Sequence, residues 1–297
     1  MIGAAGMRRG EWLELTPGKA IQGTEDKAAA IRNWLMITAE MPEKLIRRLE
    51  ASGEIKSAGD RLRLRLFPPR DYGFKPGGIP PVILYEDDYC LVVHKEVGIK
   101  VHPDGADSGV TLANAVAHHY QLTGQQVAVR HIHRLDEHTS GPVLYAKNEL
   151  SQLKLDDAMT RKEIGRIYVA WVQGIVPSTL KRIDAPIGRD RHNSKRQRVT
   201  PGGKPAITYV ELVHAYPTSS LVRLTLETGR THQIRVHMSY AGYPLIGDSL
   251  YGASERMLSY QALHGESLAF EHPMNGENIQ VNDPWPEELL RLDDRLK

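Results

Sequence analysis

Six short apolar runs constrain this chain more than any other feature: residues 82–85, 91–94, 143–146, 167–172, 208–214 and 221–228. Each has strand-like length and composition, and glycine or proline turns separate them. Several follow one another with no helical pattern between. Such strands pair most readily as antiparallel neighbours, since parallel strands need a long crossover. Helical stretches interleave at Leu112–Leu122 and 149–163. The predicted class is therefore α+β: a mixed, mostly antiparallel sheet with flanking helices, and not a doubly wound parallel sheet.

The first part of the chain reads differently. Residues 26–37 predict a helix, with Ile31 and Trp34 able to share a face among alanines. After Met41-Pro42 a second short helix is expected, with Leu45, Ile46 and Leu49 as its apolar stripe and Gly53 as its stop. "DRLRLRLF" then alternates arginine with leucine, the period of a strand with one wet, basic face. The Pro/Gly-rich "FPPRDYGFKPGGIPP" is the best linker, which places a boundary near residue 78 and predicts domains 1–78 and 79–297.

Composition excludes several classes. The 297 residues carry a net charge of only +2, so an anionic partner must be met by a local patch. A lone cysteine, Cys90 in "YCLVV", cannot form an internal disulfide and reads as a buried small hydrophobe. No apolar run approaches membrane-spanning length. "MIGAAGMRRGEW" lacks a signal-type apolar core, so the expected compartment is the cytoplasm.

Three segments could carry chemistry. In "RHIHRLDEHTSGPVLYAKN", Asp136 sits in a turn before a strand. Its bland role is an Asx-turn carboxylate holding local N–H groups. Arg130, Arg134 and His133 crowd it and favour a site. The His131-x-His133 spacing would place both rings on one face of a strand, a possible metal edge, but no convincing third ligand follows, so no metal is expected. In Leu226–Gly252, Arg230, Gln233 and His237 could line one helix face, beside a helix start able to hold an anion. The stretch 185–204 holds seven cationic side chains, His192 included, and one acid. A solvated loop and a phosphate-tracking loop are both open there.

Together these segments resemble the RluA-type pseudouridine synthases, from about residue 81 to 273. "HRLDEHTSG" is similar to the family motif that carries the catalytic aspartate, here Asp136. "HKEVGIKVHP" resembles the earlier K-P-x-G-x-x-V-H-P segment, with Glu96 in place of proline. "RIYVAWVQG" resembles K-x-Y-x-A and puts the active-site tyrosine at Tyr168, with Arg166 for lysine. "TGRTHQIRVHMSYAGYPLIGDSLYG" matches the last motif and places the aspartate-pairing arginine at Arg230. "QALHGESLAFEHP" looks like the closing strand. Residues 41–66 resemble part of a small ribosomal-protein-type RNA-binding domain, degenerate because "IKSAGD" replaces its usual turn.

The resemblance implies a pseudouridine-synthase fold with a central cleft, and isomerisation of uridine in structured ribosomal or transfer RNA. No cofactor is implied, because the reaction has no redox change and takes no outside group. Catalytic roles fall to Asp136, Tyr168 and Arg230. Substrate contacts would come from His133, Arg134, Thr139, His232 and Gln233, and from Arg189, Lys195, Arg196 and Arg198 in the basic loop. A monomer is expected. Two other readings stand beside this one: a catalytically silent RNA-binding protein, and a hydrolase using Glu137 or Asp248 as a second acid.

Overall fold

The structure, a computed structural model, describes residues 6–105 and 109–297; part of the N-terminal stretch read above lies outside them. The N-terminal unit holds β1 (Met7–Arg9), β2 (Trp12–Leu15), α1 (Lys27–Ile37), α2 (Glu43–Ala51), β3 (Ile55–Ala58) and β4 (Arg61–Leu64). Its sheet runs β1-β2-β4-β3, antiparallel throughout. Asp26 caps α1 by accepting from the Ala29 amide at 2.9 Å, which satisfies one free N–H of the first turn. Leu45, Ile46 and Leu49 are fully buried on α2. In β4 the leucines are buried and the arginines exposed, as the alternation requires. The basic face is partly neutralised, however: Arg63 lies 3.5 Å from Glu14, and Arg65 2.7 Å from Glu11.

Beyond the linker come β5 (Ile83–Glu86), β6 (Cys90–Lys95), α3 (Leu112–Leu122), β7 (Gly141–Ala146) and α4 (Glu149–Thr160). Then follow β8 (Gly165–Gln173), β9 (Arg182–Asp184), β10 (Ile187–Arg189), β11 (Gln197–Val199), β12 (Ile207–Ala215) and β13 (Ser219–Leu226). The chain closes with α5 (Gln233–Tyr240), β14 (Leu263–Glu271), β15 (Asn278–Asn282) and α6 (Glu287–Leu296). Six strands form one sheet, β15-β14-β8-β13-β12-β9; three form another, β5-β6-β7; β10 and β11 make a hairpin. Every strand pairing is antiparallel.

Alternation along the central strands explains the layering. On β8, Tyr168, Ala170 and Val172 enter one core with α3 and α5, while Val169 and Trp171 enter another beneath α6. On β6, Leu91 and Val93 join the α3 side, whereas Cys90 and Val92 face the N-terminal leucines. The N-terminal sheet therefore shares a continuous core with the sheets beyond the linker. The linker divides the sheets but not the packing.

The three-stranded and six-stranded sheets meet backbone to backbone where β7 begins. Ser140 bridges His264 in parallel, and the Gly265 amide donates to the Ser140 carbonyl at 2.8 Å. Ser140 also donates to His264 Nδ1 at 2.9 Å, because His264 Nε2 must be the donor to the Asp283 carbonyl. Gly141 follows with φ +138, and a Cβ there would lie 2.7 Å from the Gly265 backbone. A side chain at either glycine would push the sheets apart. Gly141→Ala should lose roughly 1–3 kcal/mol from backbone strain and a similar amount from overpacking. Urea unfolding of the variant beside the parent measures that loss.

Candidate active site

A cleft of about 490 Å³ opens over the ends of β8 and β13 and the start of α5. Asp136 enters it from the turn before β7. That turn is closed by the Thr139 amide donating to the Asp136 carbonyl at 3.0 Å. Among the described residues the Asp136 carboxylate takes no bond from its own turn, so the bland Asx-turn role does not apply. Its partners are Arg235 Nη1 at 3.4 Å and His232 Nε2 at 3.9 Å, both long. Its side chain is 23% exposed, which leaves the oxygens reachable from the cleft.

The arginine beside Asp136 is thus Arg235, not Arg230. The reason is where the helix begins. His232, with φ 57, is the N-cap of α5, so Arg230 precedes the helix and lies off its faces. Arg230 lines the cleft, but its Nε donates to the Pro205 carbonyl at 2.9 Å. Arg235 lies inside the helix and is nearly buried. Asp248 grips it bidentately, at 2.7 Å to Nε and 2.9 Å to Nη2. Burial alone would lower the Arg235 pKa; the bond and charge of Asp248, then the charge of Asp136, raise it instead. The fork fixes the guanidinium plane so that Nη1 is left for Asp136. Nothing in the residue pattern singles out Arg235; only its burial demands a carboxylate, and Asp248 is far enough along the chain to hide the pairing.

His232 completes the group. The Tyr251 hydroxyl accepts from the Gln197 amide and lies 2.9 Å from His232 Nδ1. If Tyr251 donates to Nδ1, the ring proton sits on Nε2, facing Asp136, which is the electrostatically consistent arrangement. Burial lowers the His232 pKa despite Asp136. Tyr168 forms the floor at 6% exposure. Burial raises its phenol pKa, Arg166 opposes and Asp136 adds to the rise, so it stays protonated at neutral pH.

Other expected residues fall into three groups. Arg134 is exposed, lines the cleft and has no side-chain partner among the described residues. The basic loop is the β10–β11 hairpin, anchored where Arg196 lies over the Tyr251 ring at 5.3 Å; Arg189, Lys195 and Arg198 are exposed on it. Thr139, His133 and Gln233 are buried supports. Thr139 Oγ1 accepts from Gln261. Gln233 takes bonds from Thr228 and the Arg230 amide and gives them to the Ile207 carbonyl and Thr208. All four sites of that amide are thus occupied within the protein, and it staples the loop, although Gln233, like His133 and Thr139, lines the cleft. His133 Nε2 accepts from the Leu144 amide at 3.3 Å.

One expectation about the first cluster is corrected. Arg130 does not line this cleft; it turns into a separate one. The two histidines do not share a metal edge either. His131 stacks on His102 at 4.8 Å, while His133 is buried behind the turn. A lysine that the sequence reading passed over supports the same turn. Lys95 is fully buried and donates to the Glu96 and Glu137 carbonyls at 2.7 and 2.9 Å. Burial lowers its pKa to about 7. Another trio, Asp87, Cys90 and His272, has metal-like spacing. His272 Nδ1 accepts two backbone amides, which puts its proton on Nε2, bonded to Asp87 at 2.7 Å. Hydrogen bonds account for it.

Two carboxylates line the cleft, and they differ. Glu227 is engaged by Lys162 at 2.8 Å and Tyr209 at 2.9 Å. Asp136 alone is loosely held. One available acid lies over a protonated tyrosine, held by a paired arginine, with the exposed Arg134 free on the rim to meet an anion. Residues 88–240 match the family model described as RNA pseudouridylate synthase. An uncharacterized RNA pseudouridine synthase of Bacillus subtilis, YhcT, is 37% identical over 95% of this chain and 92% of its own. The ribosomal large subunit pseudouridine synthase D of Haemophilus ducreyi is 36% identical over 80% of this chain and 78% of its own. The structure of human RNA pseudouridylate synthase domain containing 1 matches with a TM-score of 0.60 at 25% identity, covering 71% of this chain and 86% of that one. The chain belongs to the RNA pseudouridylate synthase family, and its fold is the one expected from the motifs. It is an RNA pseudouridine synthase, an isomerase of uridine.

The buried histidine sets an acid limit. Burial lowers the His133 pKa to about 3, against about 6.5 in an unfolded chain. Between those values only the unfolded chain takes up the proton, so the stability His133 contributes falls as pH drops from about 6.5 toward 3 and is level above that window. His133→Gln, whose amide oxygen can accept the Leu144 N–H, should flatten part of that acid limb. His237 and His264, whose pKa values burial also lowers, should preserve the remainder. Urea midpoints measured across the same pH range test this; an unchanged slope would count against it.

Proposed function

We propose that this chain isomerises uridines of ribosomal RNA, with Asp136 as the catalytic carboxylate. The observation that carries the assignment is that Asp136 is the one cleft carboxylate without a short side-chain partner. In the reaction the C1′–N1 bond breaks, the ring turns, and a C1′–C5 bond forms; the C5 proton leaves and N1 gains one. Atoms and electrons balance without a cofactor. Glycosidic cleavage needs a carboxylate that can support an electron-poor sugar carbon. Arg235 would orient Asp136, and His232 would present an N–H to it. Tyr168, held as a phenol, would pack under the uracil ring and would not serve as a base.

A stacked base cannot reach Asp136, so the target must be turned out of the RNA. Arg134 is placed to fill the vacated space or to hold a phosphate. Arg189, Lys195, Arg196 and Arg198 would follow the backbone along the β10–β11 hairpin. Ribosomal RNA is favoured over transfer RNA by the kinship with ribosomal large subunit enzymes. We further assign residues 1–78 as a degenerate RNA-binding domain attached to the catalytic domain 79–297, and the working form as a monomer. The two-acid hydrolase is disfavoured, because Asp248 is locked on Arg235 and the exposed Glu137 does not line the cleft.

Asp136→Asn should fold and bind RNA like the parent yet form no pseudouridine. Carbodiimide labelling of ribosomal RNA read by primer extension detects the product, and full conversion by the variant would remove Asp136 from the chemistry. Arg235→Lys keeps the charge but not the fork on Asp248; its turnover at saturating RNA should drop by roughly ten- to a hundredfold through misplacement of Asp136. Arg230→Lys should lose less, and single-turnover rates for the two variants compare them directly.

A further inference from the structure

A second cleft, of about 310 Å³, opens where the N-terminal unit meets β7 and the start of α4. Five cationic side chains line it: Arg8, Arg48, Arg70, Arg130 and Lys147. Three are neutralised inside the protein. Arg8 pairs with Asp88, Arg48 with Glu54 and Glu149, and Lys147 with Glu86 at 2.8 Å. The other two are not. Among the described residues, neither Arg70 nor Arg130 has a hydrogen-bond acceptor or an ion pair for its guanidinium.

Arg130 is the informative one, because it is half-buried. Burial lowers its pKa; Glu149 opposes this, and the like charge of Arg70 adds to it. A partly desolvated guanidinium beside a second cation, with no acceptor, is unfavourable until an anion arrives. A planar fork with a second arginine close by suits a phosphate, which can accept from both. The uncharged Gln126 side chain, exposed on the same wall, offers a further donor.

Geometry ties this cleft to the active site. Residues 130–136 run beside β7: the Ala146 amide donates to the Arg130 carbonyl at 2.9 Å, and the Ile132 amide to Leu144 at 2.8 Å. Arg130 thus emerges at one end of β7 and Asp136 near the other. Six strand residues span roughly 17 Å, about five nucleotides of a stacked strand.

We propose that this junction cleft is a phosphate subsite, in which Arg130 and Arg70 grip one backbone phosphate of the RNA whose uridine lies at Asp136. The proposal rests on the reading that the chain acts on RNA. It gives the linker that follows β4 a role in the grip through Arg70.

The test uses the full-length chain and ribosomal RNA, with binding measured over a series of salt concentrations. Loss of one phosphate contact should make the slope of log affinity against log salt shallower by about 0.7–0.9. Arg130→Gln should show that change, with binding several-fold weaker at low salt. Lys19→Gln removes an exposed charge outside the cleft and should leave the slope in place. The proposal is overturned if Arg130→Gln keeps the parental slope, or if Lys19→Gln shifts it equally. Should Arg130→Gln fail to fold, Arg70→Gln, an exposed change, carries the same expectation and the same power to refute. Carbodiimide assay of the parent reads uridine conversion separately. A parent that binds RNA but converts none would defeat the proposed activity without touching the cleft.

Discussion

The approach of Gly141 to Gly265 is the constraint on which the site depends. Two sheets meet there backbone to backbone, with the Ser140 carbonyl accepting from Gly265 and no side chain between. The turn that carries Asp136 ends at that junction. Its other support is Lys95, buried beneath the Glu137 carbonyl. A carboxylate on a surface loop would wander; this one is held at both ends of its turn by bonds that exclude water. The rigidity belongs to the sheets, and the turn inherits it.

Charge is then arranged around that fixed point in two zones. Near Asp136, ionic groups are matched: Asp248 anchors Arg235, and Tyr251 orients His232. Matching matters because an unpaired ion in a buried setting is strongly unfavourable. Farther out the cations are left unmatched, at Arg134, along the β10–β11 hairpin and in the junction cleft. Those are the positions where a polyanion can supply the missing partner. A chain with net charge of only +2 can thus bind RNA, because its acids are placed to neutralise some cations and not others.

Much of this was legible in the residues, and the reasons are specific. The runs 143–146 and 167–172 lie within β7 and β8, and α3 has the bounds its pattern implied. Period-two and period-3.6 alternation follow directly from backbone geometry, so they survive into the fold. Asp136 and Tyr168 were located because short motifs keep their local neighbours. Arg235 was missed in favour of Arg230 because the choice turns on where α5 starts, and a left-handed N-cap at His232 is not announced by its residue type. Gln233 and His133 line the cleft but also bond inward, to Thr208 and Leu144, and their motifs do not announce those partners.

The sequence by itself determined the central strands, the family and an acid that lines the cleft, since each depends on residues close together along the chain. Tertiary structure decided which arginine meets that acid, which cations stay unpaired, and that the N-terminal sheet shares its core with the catalytic one. Those outcomes depend on contacts between segments about a hundred residues or more apart, such as Arg235 with Asp136, and on burial, which makes most polar groups find a partner.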